Sequence, residues 1–124
     1  MEKSEQDKFM SSVIELIIEG WRIYHYTDGL VRRISDTRIQ KRGLNQTARF
    51  HKHMKSAMDK LNLEIVDFTG QDYVTELPVH PINLDDFNSE DTLYVDVTLE
   101  PVIKKKNSAE IICPGVVVVG RRDA

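Results

Sequence analysis

Four histidines and one cysteine are the side chains of this 124-residue chain best suited to hold a metal or to act as nucleophiles. His25 and His80 stand alone, and only His51 and His53 are close in sequence. On a helix, residues two apart point about 200° from one another, so this pair cannot share an ion as an i, i+4 pair does. Cys113 follows Ile111 and Ile112, which predicts a buried, unreactive thiol. As a lone cysteine it forms neither an internal disulfide nor a zinc site. Asp85-Asp86 and Glu90-Asp91 read as a hydrated acidic loop rather than a cation site. No glycine-rich run joins a strand to a helix, and no Gly-x-Ser-x-Gly turn occurs. The residue types give catalysis no seat, and the expectation is a protein that is not an enzyme and has no cofactor and no metal.

The charges carry more information than the net value of -3. Residues 1–30 hold 3 basic and 6 acidic side chains, and residues 31–61 hold 9 and 2. Residues 62–103 contain 10 carboxylates and no Lys or Arg, and residues 104–124 return to 5 basic and 2 acidic. Such segregation presents faces of opposite sign to partners or folds them against each other. The run Arg32, Arg33, Arg38, Lys41, Arg42, Arg49, Lys52 and Lys55 is the one feature that suggests nucleic acid, because clustered cations release counterions from phosphate. The acidic balance, with pI near 5.8, and the lack of a helix-turn-helix or aromatic platform argue against it. A charged face that positions helices or meets an acidic protein is the reading we carry forward.

Hydrophobic spacing divides the chain near residue 62. Met10, Val13, Ile14, Ile17, Trp21, Tyr24, Val31 and Ile34 recur at three- and four-residue steps and predict an amphipathic helix. Leu16, Ile23 and Leu30 form a second row, and a helix apolar on two sides calls for a second copy of the chain. Thr27-Asp28-Gly29 is a weak point in that helix, and Gly43 is expected to end or kink it. Asn45 or Thr47 would then cap a further helix carrying Phe50, Met54, Ala57, Met58 and Leu61, with Asn62 as its stop. The short connection leaves an antiparallel hairpin or one kinked helix. Beyond it, residues 63–68, 93–99, 102–103, 110–112 and 116–119 read as strands, and the proline-containing stretch 77–91 as an irregular loop. The expectation is an α+β protein, with a helical dimerisation region over 1–62 and a small β-domain over 63–124. No run approaches the ~20 apolar residues of a membrane span, and the opening residues lack an apolar signal stretch, which predicts a cytoplasmic protein.

From Gly43 to Val119 the sequence resembles GrpE, the nucleotide exchange factor of DnaK-type chaperones. Leu61-Asn62-Leu63-Glu64-Ile65 is similar to that family's helix exit, and Gly70-Gln71-Asp72-Tyr73 to its Gly-x-x-Phe turn. Thr92 to Val97 resembles the start of its main hairpin, and Asn107-Ser108 falls where its Asn-Gly turn stands. Ile111 to Val119, with Pro114-Gly115 leading into four valines, resembles its closing strands. Departures occur at Val74-Thr75, where the family has Asp-Pro, and at Glu100-Pro101, where it has Gly-Tyr. Glu110 and Cys113 stand where the family carries arginines.

The resemblance implies a shortened, divergent co-chaperone for a specialised DnaK-type partner. It would pair through its helices into a homodimer and hold the partner's nucleotide-binding domain open so that ADP leaves. It places Tyr73, Val102, Ile103, Asn107, Ile112 and Pro114 in the β-domain surface and core that meets or shapes the partner contact. Ile17, Trp21 and Tyr24 are expected at the dimer seam. The competing expectation is an adaptor of GrpE-like fold without exchange activity, bridging proteins through its acidic loop and basic helix.

Overall fold

The first helix, α1, spans Glu5–Arg32 and begins where the Ser4 hydroxyl accepts the Asp7 backbone N–H at 3.1 Å. Glu5 and Asp7 complement the positive end of the helix dipole, and Arg32 the negative end. The computed structural model describes residues 4–123. α1 runs straight through Gly29, where the Asp28 carboxylate accepts Arg32 Nε at 2.8 Å one turn on. The second helix, α2, spans Thr37–Lys60.

The break between the helices falls at Arg33–Asp36, not at Gly43 as the spacing predicted. Asp36 caps α2 through the Ile39 N–H at 3.0 Å, and Gln40 Nε2 reaches back to the Arg32 carbonyl at 2.9 Å. Both ends at the corner are thereby satisfied by side chains, and no glycine is needed to turn the chain. Gly43 instead lies inside α2, because a Cβ there would stand 2.8 Å from Val31 Cγ1. Thr47, an expected cap, is buried within α2, its hydroxyl donating to the Leu44 carbonyl at 3.1 Å. Val31 over Gly43, Tyr24 over His51, and Gly20 against Phe50 and Met54 pair the helices in reverse order. Of the two arrangements the sequence left open, the antiparallel hairpin is the one formed.

The chain divides into two compact units, Met1–Ala57 and Met58–Ala124. In the second, Asn62 closes α2 in the left-handed conformation (φ 60°), as expected of an asparagine stop. Six strands follow: β1 (Leu63–Val66), β2 (Val79–Pro81), β3 (Leu93–Glu100), β4 (Val102–Lys105), β5 (Ile111–Cys113) and β6 (Gly115–Arg121). One sheet has the order β1-β4-β5 and is antiparallel. The other has the order β2-β6-β3, with β2 parallel and β3 antiparallel to β6. Leu93, Val95, Val117 and Val119 form the core of the second sheet, with Phe68, Tyr73, Leu77, Val79 and Phe87 packed against it. The architecture is α+β, helices first and a small β-sheet unit second. Among the described residues no helix is long and apolar enough to cross a membrane.

Candidate partner-binding surface

Strands β3 to β6 form one long antiparallel ribbon bent between the two sheets. β3 pairs with β6 in one sheet and β4 with β5 in the other, so each arm crosses from sheet to sheet. Each arm carries a proline at the crossing, Pro101 and Pro114, and a residue without an N–H interrupts the ladder where the ribbon must fold. Gly115 makes the bend compact: a Cβ there would lie 3.1 Å from both the Glu100 carbonyl oxygen and Val102 Cγ2.

At the far end the ribbon turns through Asn107, which adopts a left-handed conformation (φ 59°). Lys105 N–H donates to the Glu110 carbonyl at 3.0 Å, and Lys104 Nζ to the Ser108 carbonyl at 2.8 Å. Lys106 fixes this tip to the end of α2, its N–H on the Asn62 carbonyl at 3.0 Å and its Nζ on Asp59 at 2.9 Å. A tip held this way keeps a defined backbone shape.

The six residues expected at the partner contact divide by exposure. Asn107 and Pro114 are exposed, at the tip and at the bend, and Ile112 on β5 is half-buried between them. Val102 and Ile103 are 2% and 0% exposed, so they shape the ribbon from inside and touch no partner. Tyr73 is half-buried on the second sheet's core, its N–H donating to the Leu93 carbonyl at 2.9 Å. Gly70, at φ +91°, and Arg122, which donates to the Gly70 carbonyl and pairs with Asp72, set the path of the chain into Tyr73. Asn83 was not singled out by the sequence. Its side chain donates to the Val119 carbonyl and accepts the Val119 N–H, both at 2.9 Å, imitating one more strand residue beside β6.

The expected dimer seam needs correction within the helical unit. Ile17 and Trp21 are buried against their own hairpin, and Tyr24 stacks on His51 with ring centroids 4.9 Å apart. Ile17 and Trp21 are covered inside one chain because α2 folds back onto the stripe that carries them, and Tyr24 stays half-buried. The second row remains free: Leu16 is 72% exposed and Ile23 57%, with Phe9 and Leu30 exposed at the same seven-residue spacing. Ile23 also lines, with Phe50 of α2, a shallow groove of about 200 Å³.

The histidines hold no convergent geometry. Trp21 and His25 rings lie 4.2 Å apart, and among the described residues no group of three or more His, Cys, Asp or Glu is placed to hold a metal ion. Cys113 is half-buried, and its thiol pKa is pushed up, first by burial and then by the Glu100 carboxylate, which disfavours the thiolate. A further concavity in the β-unit shares no lining residue with the ribbon tip. It is a groove of about 760 Å³ between the segment 72–76 and the stretch that follows the 3-10 turn Leu84–Asp86, with Leu93 and Phe87 on its lining. Sequence reading treated this stretch as a hydrated loop, and only the packing of Phe87 onto the core draws its walls into a groove.

No family model matches the chain, no curated protein matches it, and no solved structure matches it.

Proposed function

We propose that the protein is a GrpE-like co-chaperone that acts as a homodimer in the cytoplasm and promotes ADP release from a DnaK-type chaperone. The observation that carries this reading is the bent ribbon. The residues behind the resemblance, spread from Leu61 to Val119, fall on the helix stop, the turn beside β3, the tip and the proline bends of one continuous β-unit. The exposed tip at Asn107 and the corner at Pro114 make the contact, and buried Val102 and Ile103 keep the ribbon stiff. Rigidity matters because exchange of this kind is a differential-binding effect. The factor opens the partner's nucleotide cleft only by as much as it prefers the open state, about 1.4 kcal/mol for each tenfold change.

The test is capture of the host's DnaK-type chaperone on the immobilised protein, elution with ATP, and stopped-flow measurement of fluorescent ADP release from the eluted chaperone. Release should accelerate with protein concentration. A chaperone that binds but stays bound in ATP, with unchanged ADP release, would replace this reading by the adaptor one, which the departures at Val74-Thr75 and Glu100-Pro101 favour. Absence of the chaperone from the captured proteins sinks the exchange reading and leaves the adaptor one.

A further inference from the structure

We infer that the groove beside Tyr73 in the β-unit is a docking site for an extended, cationic peptide segment of another protein, one that carries aliphatic side chains between its Lys or Arg residues. Three observations converge on that occupant. The groove, at about 760 Å³, has room for several side chains in a row. Its walls expose apolar surface, with Val74 48% and Leu84 42% accessible, while Tyr73 and Phe87 are anchored on the core beneath. Its lining carries carboxylates and no Lys or Arg: Asp72, Glu76 and Asp91 line it, Asp85, Asp86 and Glu90 adjoin it, and the Arg122 guanidinium beside it is paired with Asp72.

Some of that charge is already engaged. Arg122 pairs with Asp72, and Asp91 accepts the Asn88 N–H at 2.9 Å. Glu76 and the carboxylates of 85, 86 and 90 are spread along the rim, and none of the described carboxylates converge as a metal-holding group. A distributed negative potential over an apolar floor is complementary to spaced cations on a chain, not to one compact ion. The strap of backbone that forms one wall is itself rigid: Tyr73 N–H and Val95 N–H bond to the Leu93 and Gln71 carbonyls at 2.9 Å. The site therefore needs little ordering to accept a ligand. It shares no lining residue with the ribbon tip, and of the residues expected at the chaperone contact only Tyr73 belongs to it.

Fluorescence anisotropy with the 124-residue chain tests it, using three labelled peptides of equal length: alternating Arg-Leu, alternating Glu-Leu, and oligo-lysine. The Arg-Leu peptide should bind at least about tenfold more tightly than either of the others, and should weaken as salt is raised. Glu76→Lys and Leu84→Ser, both at exposed side chains, should each weaken it at least about fivefold while leaving the thermal melt in place. Amide shifts should move within 72–76 and 84–93. Equal binding of the three peptides, variants without effect, or shifts confined to 104–113 would overturn the site. So would displacement of the labelled peptide by an unlabelled peptide of residues 37–60, which would assign the groove to the basic α2 of a second copy. The titration contains no chaperone, so failure of nucleotide exchange leaves its outcome untouched.

Discussion

Gly29 and Gly43 stand in helices, and only one of them is there for space. A Cβ at Gly29 meets nothing within 4 Å, so Gly29→Ala should stabilise the protein by about 0.5–1 kcal/mol through helix propensity alone. The same change at Gly43 drives a methyl to 2.8 Å from Val31, and the overpacking cost of about 1–3 kcal/mol outweighs that gain, so the melting temperature falls. Adding Val31→Ala should recover part of the loss, a coupling that thermal melts of the four combinations would expose. Sequence alone reads both glycines as weak points, because propensity cannot distinguish a glycine that ends a helix from one that admits a neighbouring helix. Asn62 and Asn107 were legible, since asparagine is among the few residues that accept φ near 60° and each sits where a periodic run stops. Cys113 offers a pH-dependent check. Its raised pKa means that the folded state favours the neutral thiol, so the stabilisation is present at neutral pH and is lost as pH climbs through the folded value. Alkylation by iodoacetamide at neutral pH should be slower than for a free cysteine and should accelerate in unfolding denaturant; equal rates would contradict the burial.

Trp21 and Leu16 sit five residues apart on α1 and do different work. Trp21 is 8% exposed within its own hairpin, so Trp21→Ala should destabilise the helical unit by about 3–5 kcal/mol, as truncation of a buried Trp does. Denaturant titration followed by helical circular dichroism measures it, and a loss below about 1 kcal/mol would return Trp21 to a surface role. The sequence revealed that α1 has two apolar rows but not which one α2 covers, because both have helical spacing. The choice rests on Gly20 and Gly43, which let Phe50, Met54 and Val31 approach on one side only. Among the strands, β1 and β3 to β6 were legible from alternation and from their turns. β2 was read as loop, since three residues ending in Pro81 carry no period and gain their place only through parallel pairing with β6, Val79 opposite Gly115 and Pro81 opposite Val117.

For the molecule as a whole, the exposed row Phe9, Leu16, Ile23 and Leu30 is the surface on which the proposed homodimer depends. Light scattering at micromolar concentration should return about twice the 14.3 kDa chain mass. The pair Leu16→Glu and Ile23→Glu should bring it to a single chain with the helical signal retained, since both side chains are already in solvent. A wild-type mass of one chain would remove the dimer from the proposed function. The sequence by itself determined the succession of helices and strands, the stop at Asn62, the separation of basic from acidic stretches and the absence of familiar catalytic spacing. These depend on neighbours within a few residues, where period and conformational preference act directly. Tertiary structure decided which row of α1 is buried, that Gly43 is a contact, that Val102 and Ile103 are core and Asn107 and Pro114 surface, and that an acidic loop closes into a groove over Tyr73. Each of those turns on atoms far apart in the chain meeting at a few ångströms, and hydrophobic spacing carries no information about which distant surface will arrive.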